Sequence, residues 1–375
     1  MAGLDLQREP GGGEASPAIT ARAVVHREPG ARPRPARRPD TGAVHPVLRS
    51  AADRRLGVFT AAEARLAGYP DSEIRSAASS GRWVRLRRGV DVTATDLIRL
   101  EERGQRHAVD CLAVLATLPG REAVISHTSA ARLRGWPLRR GLERTVRLTD
   151  PVQWRRGEGY VVSRAPLTAA DRALRAGVPM TSPARTLVDC AREWPLDDAV
   201  VAMDAALLRE HTTPGDLATA VGAARHWPGA PRAARAVSLA DGRAESPLET
   251  RGRLGIVGSH LPVPQLQVEI RRSGALLAVV DGWYEDAAVA VEFDGRLKYT
   301  DPWRDRSAGQ VLWEEKRRED ELRALGIRFV RIVDTDVERR WAPVAERLRV
   351  LLAEPGPTVR SFTATPRQRG LLRAG

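Results

Sequence analysis

The sequence predicts a multidomain α/β protein with an N-terminal winged helix-turn-helix, a mixed α/β middle region and a C-terminal α/β layer domain. A length of 375 residues favours two to three domains, and a hydrophobic fraction of 42% is enough to build packed cores. Composition and periodicity also change along the chain. They predict a disordered basic arm over 1–48, the winged helix over 50–96, the middle region over 97–240, the layer domain over 244–353 and a basic tail over 356–375.

The charge of the chain predicts a polyanionic partner. Its 60 lysines and arginines outnumber 47 acids and leave a net charge of +13, which favours nucleic acid, and DNA in particular. No apolar run approaches the roughly 18 to 20 residues of a membrane span, and the N-terminus lacks the apolar core of a secretory signal. The two cysteines form no C-x-x-C pair, which excludes a zinc module and fits a reducing compartment. We therefore expect a cytoplasmic protein with no membrane partner.

The order of elements in 50–96 is that of a winged helix. A capping box over 60–63 (T-x-x-E) predicts a short first helix, and G-Y-P at 68–70 ends it. Asp71 or Ser72 is expected to cap a second helix. Alternating apolar and basic residues then predict a strand, an R-G turn and a returning strand over 83–92.

Five arginines and no acid lie between residues 74 and 90. They are the candidate DNA-binding residues Arg75, Arg82, Arg85, Arg87 and Arg88. Such a stretch would neutralise phosphates while the second helix enters a major groove. The alternative is a small packing domain whose arginines only solvate its surface.

The sequence of this segment is similar to sequences of a known protein family. V-F-T-x-x-E-A followed by G-x-W-x-R-L-x-R-G-V resembles the winged helix of AbiEi-type antitoxins, the transcription-repressing half of certain abortive-infection toxin–antitoxin pairs. The resemblance implies DNA binding and raises the expectation of a toxin partner protein.

The sequence of the middle region predicts no catalytic or metal-binding site. His107, His127 and Asp189 are the polar residues that stand out there, and His127 is interpreted as a helix-start residue rather than a metal ligand. A structural or partner-binding role is expected for 97–240.

The segment 244–353 predicts the order helix, three strands, helix, strand, helix. Its first helix begins at S-P-L-E (246–249), where Ser246 is the N-cap and Glu249 the N3 carboxylate. The strands are Q-L-Q-V-E-I, A-L-L-A-V-V-D-G-W-Y and A-V-A-V-E-F-D-G, and the fourth is I-R-F-V-R-I-V after a long helix over 310–325.

Acidic residues concentrate between residues 281 and 301, where six carboxylates stand against two cations. A hairpin with a two-residue loop at 286–287 would place Asp281 opposite Glu292, and Asp294 would share the face of Glu292. Carboxylates brought together in this way suit Mg²⁺ or Mn²⁺, which could orient water against a phosphodiester. Glu249 could complete the ligand set.

Each of these acids also has a structural interpretation. Glu249 can serve only as a capping acid of its helix. Asp281 and Glu292 can pair with arginines from the long helix, and Asp294 before Gly295 can reflect turn chemistry.

Four motifs of 244–353 resemble one nuclease group. S-P-L-E, V-D-G-W, V-E-F-D-G-R and L-W-E-E-K-R-R-E-D-x-L-R-A-L-G-I-R-F-V-R are similar to Vsr-like restriction-endonuclease domains of the PD-(D/E)XK superfamily, relatives of the very-short-patch mismatch repair endonuclease. The resemblance implies a restriction-endonuclease-like fold and Mg²⁺-dependent DNA cleavage. It makes Asp281 the metal-binding aspartate, Glu292 the acid of E-x-K and Glu249 the helix-borne glutamate.

The lysine of E-x-K is replaced in this chain. It would fall at 294, where the chain has Asp294, and the only lysines are Lys298 and Lys316. Either could stand in as a displaced catalytic lysine. The main expectation is a metal-dependent DNA endonuclease. The alternative is a non-catalytic, antitoxin-like regulator that carries a degenerate nuclease fold.

Overall fold

The computed structural model describes residues 44–120, 122–138, 142, 144–295 and 308–368, with the backbone alone described for 308–315. Contacts divide the chain after residue 43 into two units, and all elements below belong to the second. The described part of the chain is a multidomain α/β protein, as predicted, with three separate sheets. Within that part, no helix combines the length and apolarity required to cross a bilayer.

The N-terminal segment folds as a winged helix. Its elements are α1 (Pro46–Asp53), β1 (Phe59–Thr60), α2 (Ala61–Leu66), α3 (Asp71–Ser79), β2 (Trp83–Arg87) and β3 (Val90–Thr93). The three strands form an antiparallel sheet in the order β1-β3-β2. Phe59, Ile74 and Trp83 are buried together beneath the helices, and the rings of Phe59 and Trp83 meet edge to face at 4.8 Å.

The caps of the two short helices differ from each other. The capping box of α2 is confirmed: the Thr60 hydroxyl accepts from the Glu63 N–H at 3.1 Å, and the Glu63 carboxylate accepts from the Thr60 N–H at 2.8 Å. The cap predicted for α3 is wrong. Pro70 is its N-cap and makes no side-chain hydrogen bond, while the Asp71 carboxylate accepts from Arg65 Nε at 2.7 Å instead.

The middle region joins a mixed sheet to a helical layer. Its elements are α4 (Ala94–Glu102), α5 (Arg106–Leu115), β4 (Val124–Ile125), α6 (His127–Leu133), β5 (Val146–Asp150), β6 (Arg155–Gly157), β7 (Tyr160–Arg164), β8 (Arg172–Arg175), β9 (Val178–Thr181), α7 (Pro183–Glu193), α8 (Leu196–Leu208), α9 (Pro214–Ala223) and α10 (Ala230–Leu239). The strand order is β6-β7-β5-β4-β9-β8. Helices α7 to α10 enclose a second core around Trp194 and Met203.

The winged helix shares a core with the middle sheet. Val90 and Val92 of the returning strand are buried with Val146, Leu148 and Val162 of the middle region. The wing is therefore packed onto the middle sheet along its inner face.

The C-terminal segment is an α/β layer. Its elements are α11 (Pro247–Gly258), β10 (Gln265–Arg272), β11 (Ala275–Tyr284), β12 (Val289–Asp294), α12 (Ala308–Ala324), β13 (Arg328–Val333), α13 (Asp334–Arg339), α14 (Trp341–Ala353) and β14 (Thr363–Pro366). The sheet order is β13-β12-β11-β10-β14, with β12 and β13 parallel and the other pairs antiparallel. One face packs against α11 and α14 and the other against α12. The predicted order of elements is found, with α13 and the edge strand β14 added.

The loop between β11 and β12 is longer than predicted. Two residues, 286 and 287, were expected to connect the strands, whereas β11 ends at Tyr284 and β12 begins at Val289. The loop gains one residue on each side, so the predicted register is unchanged. Gly282 pairs with Val291 at the end of the ladder, and the Asp281 carboxylate next to it accepts from the Phe293 N–H.

Candidate nucleic-acid interface and acidic cleft

Helix α3 presents a polar face outside the winged-helix core. Ile74 and Ala77 are buried three residues apart and hold the helix against the sheet. Arg75, Ser76 and Ser79 are exposed on the remaining surface. A nine-residue helix with one apolar stripe and one exposed polar face is what entry into a major groove requires.

The five predicted DNA-binding arginines differ in their contacts. Arg75, Arg82, Arg85 and Arg88 are exposed, Arg87 is half-buried, and Arg82 Nε donates to Ser80 Oγ at 3.3 Å. Arg85 forms an ion pair of 3.0 Å with the buried Asp91, and Arg87 donates to the Glu158 carbonyl at 2.6 Å. Arg85 and Arg87 are thus held by contacts within the protein.

Asp281, Glu292 and Asp294 line one cleft between the C-terminal sheet and α12. The cavity measures about 90 Å³. Its other lining residues are Val279, Phe293, Arg318, Glu319, Leu322 and Arg331. Three of the four acids that line the cleft are thus the ones that strand alternation and hairpin register brought together in the sequence analysis; the fourth, Glu319, lies on α12.

The cleft contains cations that the sequence analysis missed. Arg331 is the parallel-strand neighbour of Glu292, and its Nη2 lies 3.9 Å from Glu292 Oε2 and 3.0 Å from Glu319 Oε2. Asp281 Oδ2 accepts from the Phe293 N–H at 2.8 Å. The structural alternative expected pairing arginines on the long helix; Arg318 of that helix lines the cleft too, whereas Arg331 belongs to β13. A charged residue inside the apolar run I-R-F-V-R-I-V was the available signal.

Glu249 lies beside Asp281 but on α11. Only 6% of it is exposed. Its N–H donates to Ser246 Oγ at 3.2 Å, and its Oε2 accepts from the Glu245 N–H at 2.8 Å and from Gln267 Nε2 at 3.1 Å. Burial, followed by the charge of Asp281, raises the pKa of Glu249 to about 7. The Ser246 hydroxyl therefore caps the helix through the Glu249 N–H, whereas the Glu249 carboxylate binds the backbone one residue before the N-cap.

The predicted lysines lie apart from these acids or outside the described residues. Lys316 is exposed on α12, and Lys298 falls outside the residues that the structure describes. Among the described residues, no three His, Cys, Asp or Glu side chains gather closely enough to hold a metal ion.

The polar residues of the middle region have structural contacts. His127 starts α6 with φ of +49° and is buried, with Nδ1 2.8 Å from Ser126 Oγ. Its desolvation lowers its pKa. Asp189 is paired with Arg185 at 2.9 Å and Arg192 at 3.2 Å. His107 lies 3.0 Å from Ser129 Oγ, and burial lowers its pKa to about 4.

Comparison with known proteins identifies relatives of the chain. Residues 46–90 match the family model described as transcriptional regulator, AbiEi antitoxin. Over 238 residues the chain is 30% identical to the uncharacterized proteins MT2308 and Rv2248 of Mycobacterium tuberculosis, strains CDC 1551 / Oshkosh and ATCC 25618 / H37Rv. The aligned part covers 63% of this chain and 84% of each relative. The chain belongs to the family of these mycobacterial proteins.

The family-model match covers the winged helix of this chain and not the acidic cleft. The matched segment begins at α1 and ends at Val90, the first residue of β3, so it spans the three helices and the first strand of the wing. The match indicates that this N-terminal segment is the DNA-binding domain of a regulator. The match does not reach residues 244–353, and the resemblance of that segment to Vsr-like nucleases stays a prediction.

Proposed function

We propose that the chain is a DNA-binding transcriptional regulator of the AbiEi antitoxin type that inserts α3 into the major groove. The observation that carries this proposal is the antitoxin-regulator match over 46–90 on a segment folded as a winged helix. The net charge of +13 supports it, because a basic protein is attracted to the phosphate backbone.

The exposed side chains of the winged helix fall into two groups, those that can contact base edges and those that can contact the phosphate backbone. Arg75 lies in the middle of α3, where a guanidinium can donate two hydrogen bonds to a guanine edge. Ser76 and Ser79 can donate to base edges or phosphates. Arg88 lies at the tip of the wing, where it can contact the backbone of the same duplex.

Binding of full-length chain to duplexes selected from a random pool tests this proposal. Arg75→Ala is expected to weaken binding to the selected duplex about tenfold or more and to relax base preference at one position. Arg235→Ala is the matched control, because Arg235 is also exposed, on α10, and its substitution removes the same charge. Equal affinity of the two variants, or failure to select any duplex, would contradict the proposal.

A second candidate function is divalent-metal-dependent hydrolysis of DNA at the acidic cleft. It is favoured by Asp281, Glu292 and Asp294, which line one cavity. These oxygens would hold Mg²⁺ or Mn²⁺, which activates water and stabilises the leaving oxygen of a phosphodiester. Lys298 and Lys316 are the candidate lysines. Arg331 already faces Glu292, so a cation would compete with it for that carboxylate.

Calorimetric titration with Mn²⁺ separates the two candidates. Asp281→Asn retains an acceptor for the Phe293 N–H but loses the charge. The nuclease candidate predicts saturable Mn²⁺ binding and plasmid nicking by the unmodified chain, and loss of both in the variant. If neither protein binds Mn²⁺ or nicks the plasmid, the nuclease candidate is refuted and the regulator is the one proposed function that stands.

A further inference from the structure

The turn that follows α6 in the middle region is surrounded by basic side chains. The Arg134 guanidinium lies over the Trp136 ring, 5.5 Å from its centroid. Arg209 Nη1 donates to the Gly135 carbonyl at 2.8 Å, and Trp136 Nε1 donates to His211 Nδ1 at 2.9 Å. Arg134, Arg209 and His211 therefore gather around three consecutive residues of the chain.

Arg175, the last residue of β8, adds a further cation to this group, which we call the basic cluster: Arg134, Arg175, Arg209 and His211. Burial lowers the pKa of His211, and the charges of Arg175, Arg134 and Arg209 lower it further. All the charges that act on His211 are thus positive. Within the part of the chain that the structure describes, none of the three arginines forms an ion pair with an acid.

Arg134 is buried although no carboxylate balances its charge. Only 8% of it is exposed. Its Nη2 donates to the Thr181 carbonyl at 2.6 Å, and its Nε is buried without a hydrogen-bond partner. Burial, followed by the charge of Arg175, lowers the pKa of Arg134 to about 10. Because an unpaired buried charge is costly, this environment favours an anion that the chain itself does not supply.

The side chains of the basic cluster offer donors and no acceptor. A guanidinium carries five N–H donors. Since Nδ1 of His211 accepts from Trp136, the proton of the neutral imidazole lies on Nε2, which is then a donor as well. Arg175, Arg209 and His211 are exposed, so a ligand can approach from solvent. Several charged donors around one point suit the oxygens of a phosphate dianion better than a singly charged carboxylate.

We propose that Arg134, Arg175, Arg209 and His211 bind the phosphate group of a small ligand. The strand that carries Arg175 is the edge of the middle sheet opposite to β6, whereas the wing contacts the turn between β6 and β7. Five spacings between neighbouring strands, about 24 Å in all, separate these two edges. We therefore assign the phosphate to a free ligand and not to the duplex that α3 contacts. The inference does not depend on the proposed function.

Calorimetric titration of the full-length chain with sodium phosphate at constant ionic strength tests the basic cluster. Saturable binding of phosphate is expected, and acetate under the same conditions should give none. Titration with glycerol phosphate distinguishes two sources of the group. Tighter binding than that of inorganic phosphate would assign the site to a phosphate ester, and equal or weaker binding would assign it to free phosphate. If neither compound binds, the site is refuted while the proposed regulator stands.

Arg175→Ala tests the cluster with little risk to the fold, because the Arg175 side chain makes no hydrogen bond or ion pair within the described residues. Loss of one charged donor should weaken phosphate binding about tenfold or more. Arg235→Ala is the matched control, since it removes the same charge from an exposed position on α10. Thermal unfolding verifies that both variants remain folded. Equal phosphate affinity of the two variants would overturn the proposal.

Proton NMR of the histidine rings reports where the phosphate binds. His211 is one of seven histidines, and its signal is identified by its absence from His211→Gln. Saturating phosphate should raise the pKa of His211, because the anion offsets the charges of the neighbouring arginines. An unchanged titration of His211 in the phosphate-saturated chain would place the anion elsewhere and overturn the assignment.

Duplex binding by Arg175→Ala separates a small ligand from DNA. The variant should bind the selected duplex as tightly as Arg235→Ala does, since the basic cluster is assigned to a free phosphate. A tenfold loss confined to Arg175→Ala would make the cluster part of the DNA interface and would refute the small-ligand site.

Discussion

Replacing Glu249 by glutamine should stabilise the protein at alkaline pH. Glu249 is almost fully buried, and its pKa is raised from 4.5 to about 7 by burial and by the charge of Asp281. Glutamine keeps the oxygen that accepts from the Glu245 N–H and removes only the charge. The substitution therefore isolates the cost of ionising this carboxyl inside the fold.

The pKa values determine the sign and size of the effect. Because the folded pKa lies above the unfolded one, the native state retains a proton that the unfolded state has lost. The stability provided by that proton is fully present below about pH 4.5 and is lost as pH rises through about 7. One pKa unit corresponds to about 1.4 kcal/mol, so ionised Glu249 costs on the order of 3 kcal/mol at pH 8.

Urea unfolding between pH 4.5 and 8 measures this difference. Glu249→Gln should match the unmodified chain near pH 4.5 and exceed its free energy of unfolding by up to about 3 kcal/mol at pH 8. Glu338→Gln, an exposed change on α13, should leave the pH profile unaltered. The reasoning is refuted if Glu249→Gln is the less stable protein at pH 8.

Three other changes test separate parts of the structure. Asp204 Oδ2 contacts Arg253 at 2.8 Å in a buried ion pair, so Asp204→Ala leaves Arg253 without its counter-charge. Urea unfolding should show that the free energy of unfolding falls by about 3–5 kcal/mol, and a fall below about 1 kcal/mol would count against a buried pair. Thr60→Ala removes the hydroxyl of the α2 capping box and should lower the unfolding free energy by about 1 kcal/mol; no loss would mean that the box is dispensable. Glu158→Gln removes an exposed acid beside the wing while keeping the carbonyl that Arg87 contacts; fluorescence anisotropy at 50 mM salt should show a few-fold tighter DNA binding, and weaker binding would contradict contact between the wing and the duplex.

Local patterns predicted the winged helix well. The T-x-x-E box at 60–63 specifies its own hydrogen bonds, and the alternation from Trp83 specifies a strand, because both signals lie within a few residues of one another. The cap of α3 was mistaken since Pro70 takes the N-cap position and the Asp71 carboxylate finds Arg65 across the turn instead.

Contacts between distant segments could not be derived in the same way. Asp281 and Glu292 were predicted to lie in one cleft because a hairpin relates them directly, whereas Arg331 reaches Glu292 through a parallel pairing that depends on the path of α12. Arg87 and Glu158 are 71 residues apart, and nothing in the wing sequence indicates that one of its arginines contacts a second sheet.

The edge strand β14 illustrates the same limit. Residues 363–366 lie in the predicted basic tail, yet they pair with β10, where Val268 lies opposite Pro366 and Ile270 opposite Ala364. A segment that adds to the edge of a sheet depends on the unpaired N–H and C=O groups of that edge more than on an apolar pattern in its own sequence. Such a strand can be predicted only when the position of the sheet edge is known.

Cleavage of DNA from a label on α3 tests the central claim most directly. Both native cysteines, Cys111 and Cys190, are buried, so an iron chelate attached to Ser76→Cys labels the exposed face of α3 alone. The account predicts cuts confined to about one helical turn of the selected duplex, and none from the same label at Ser238→Cys on α10. Equal, scattered cleavage from the two positions, or none from Ser76→Cys on bound DNA, would contradict it.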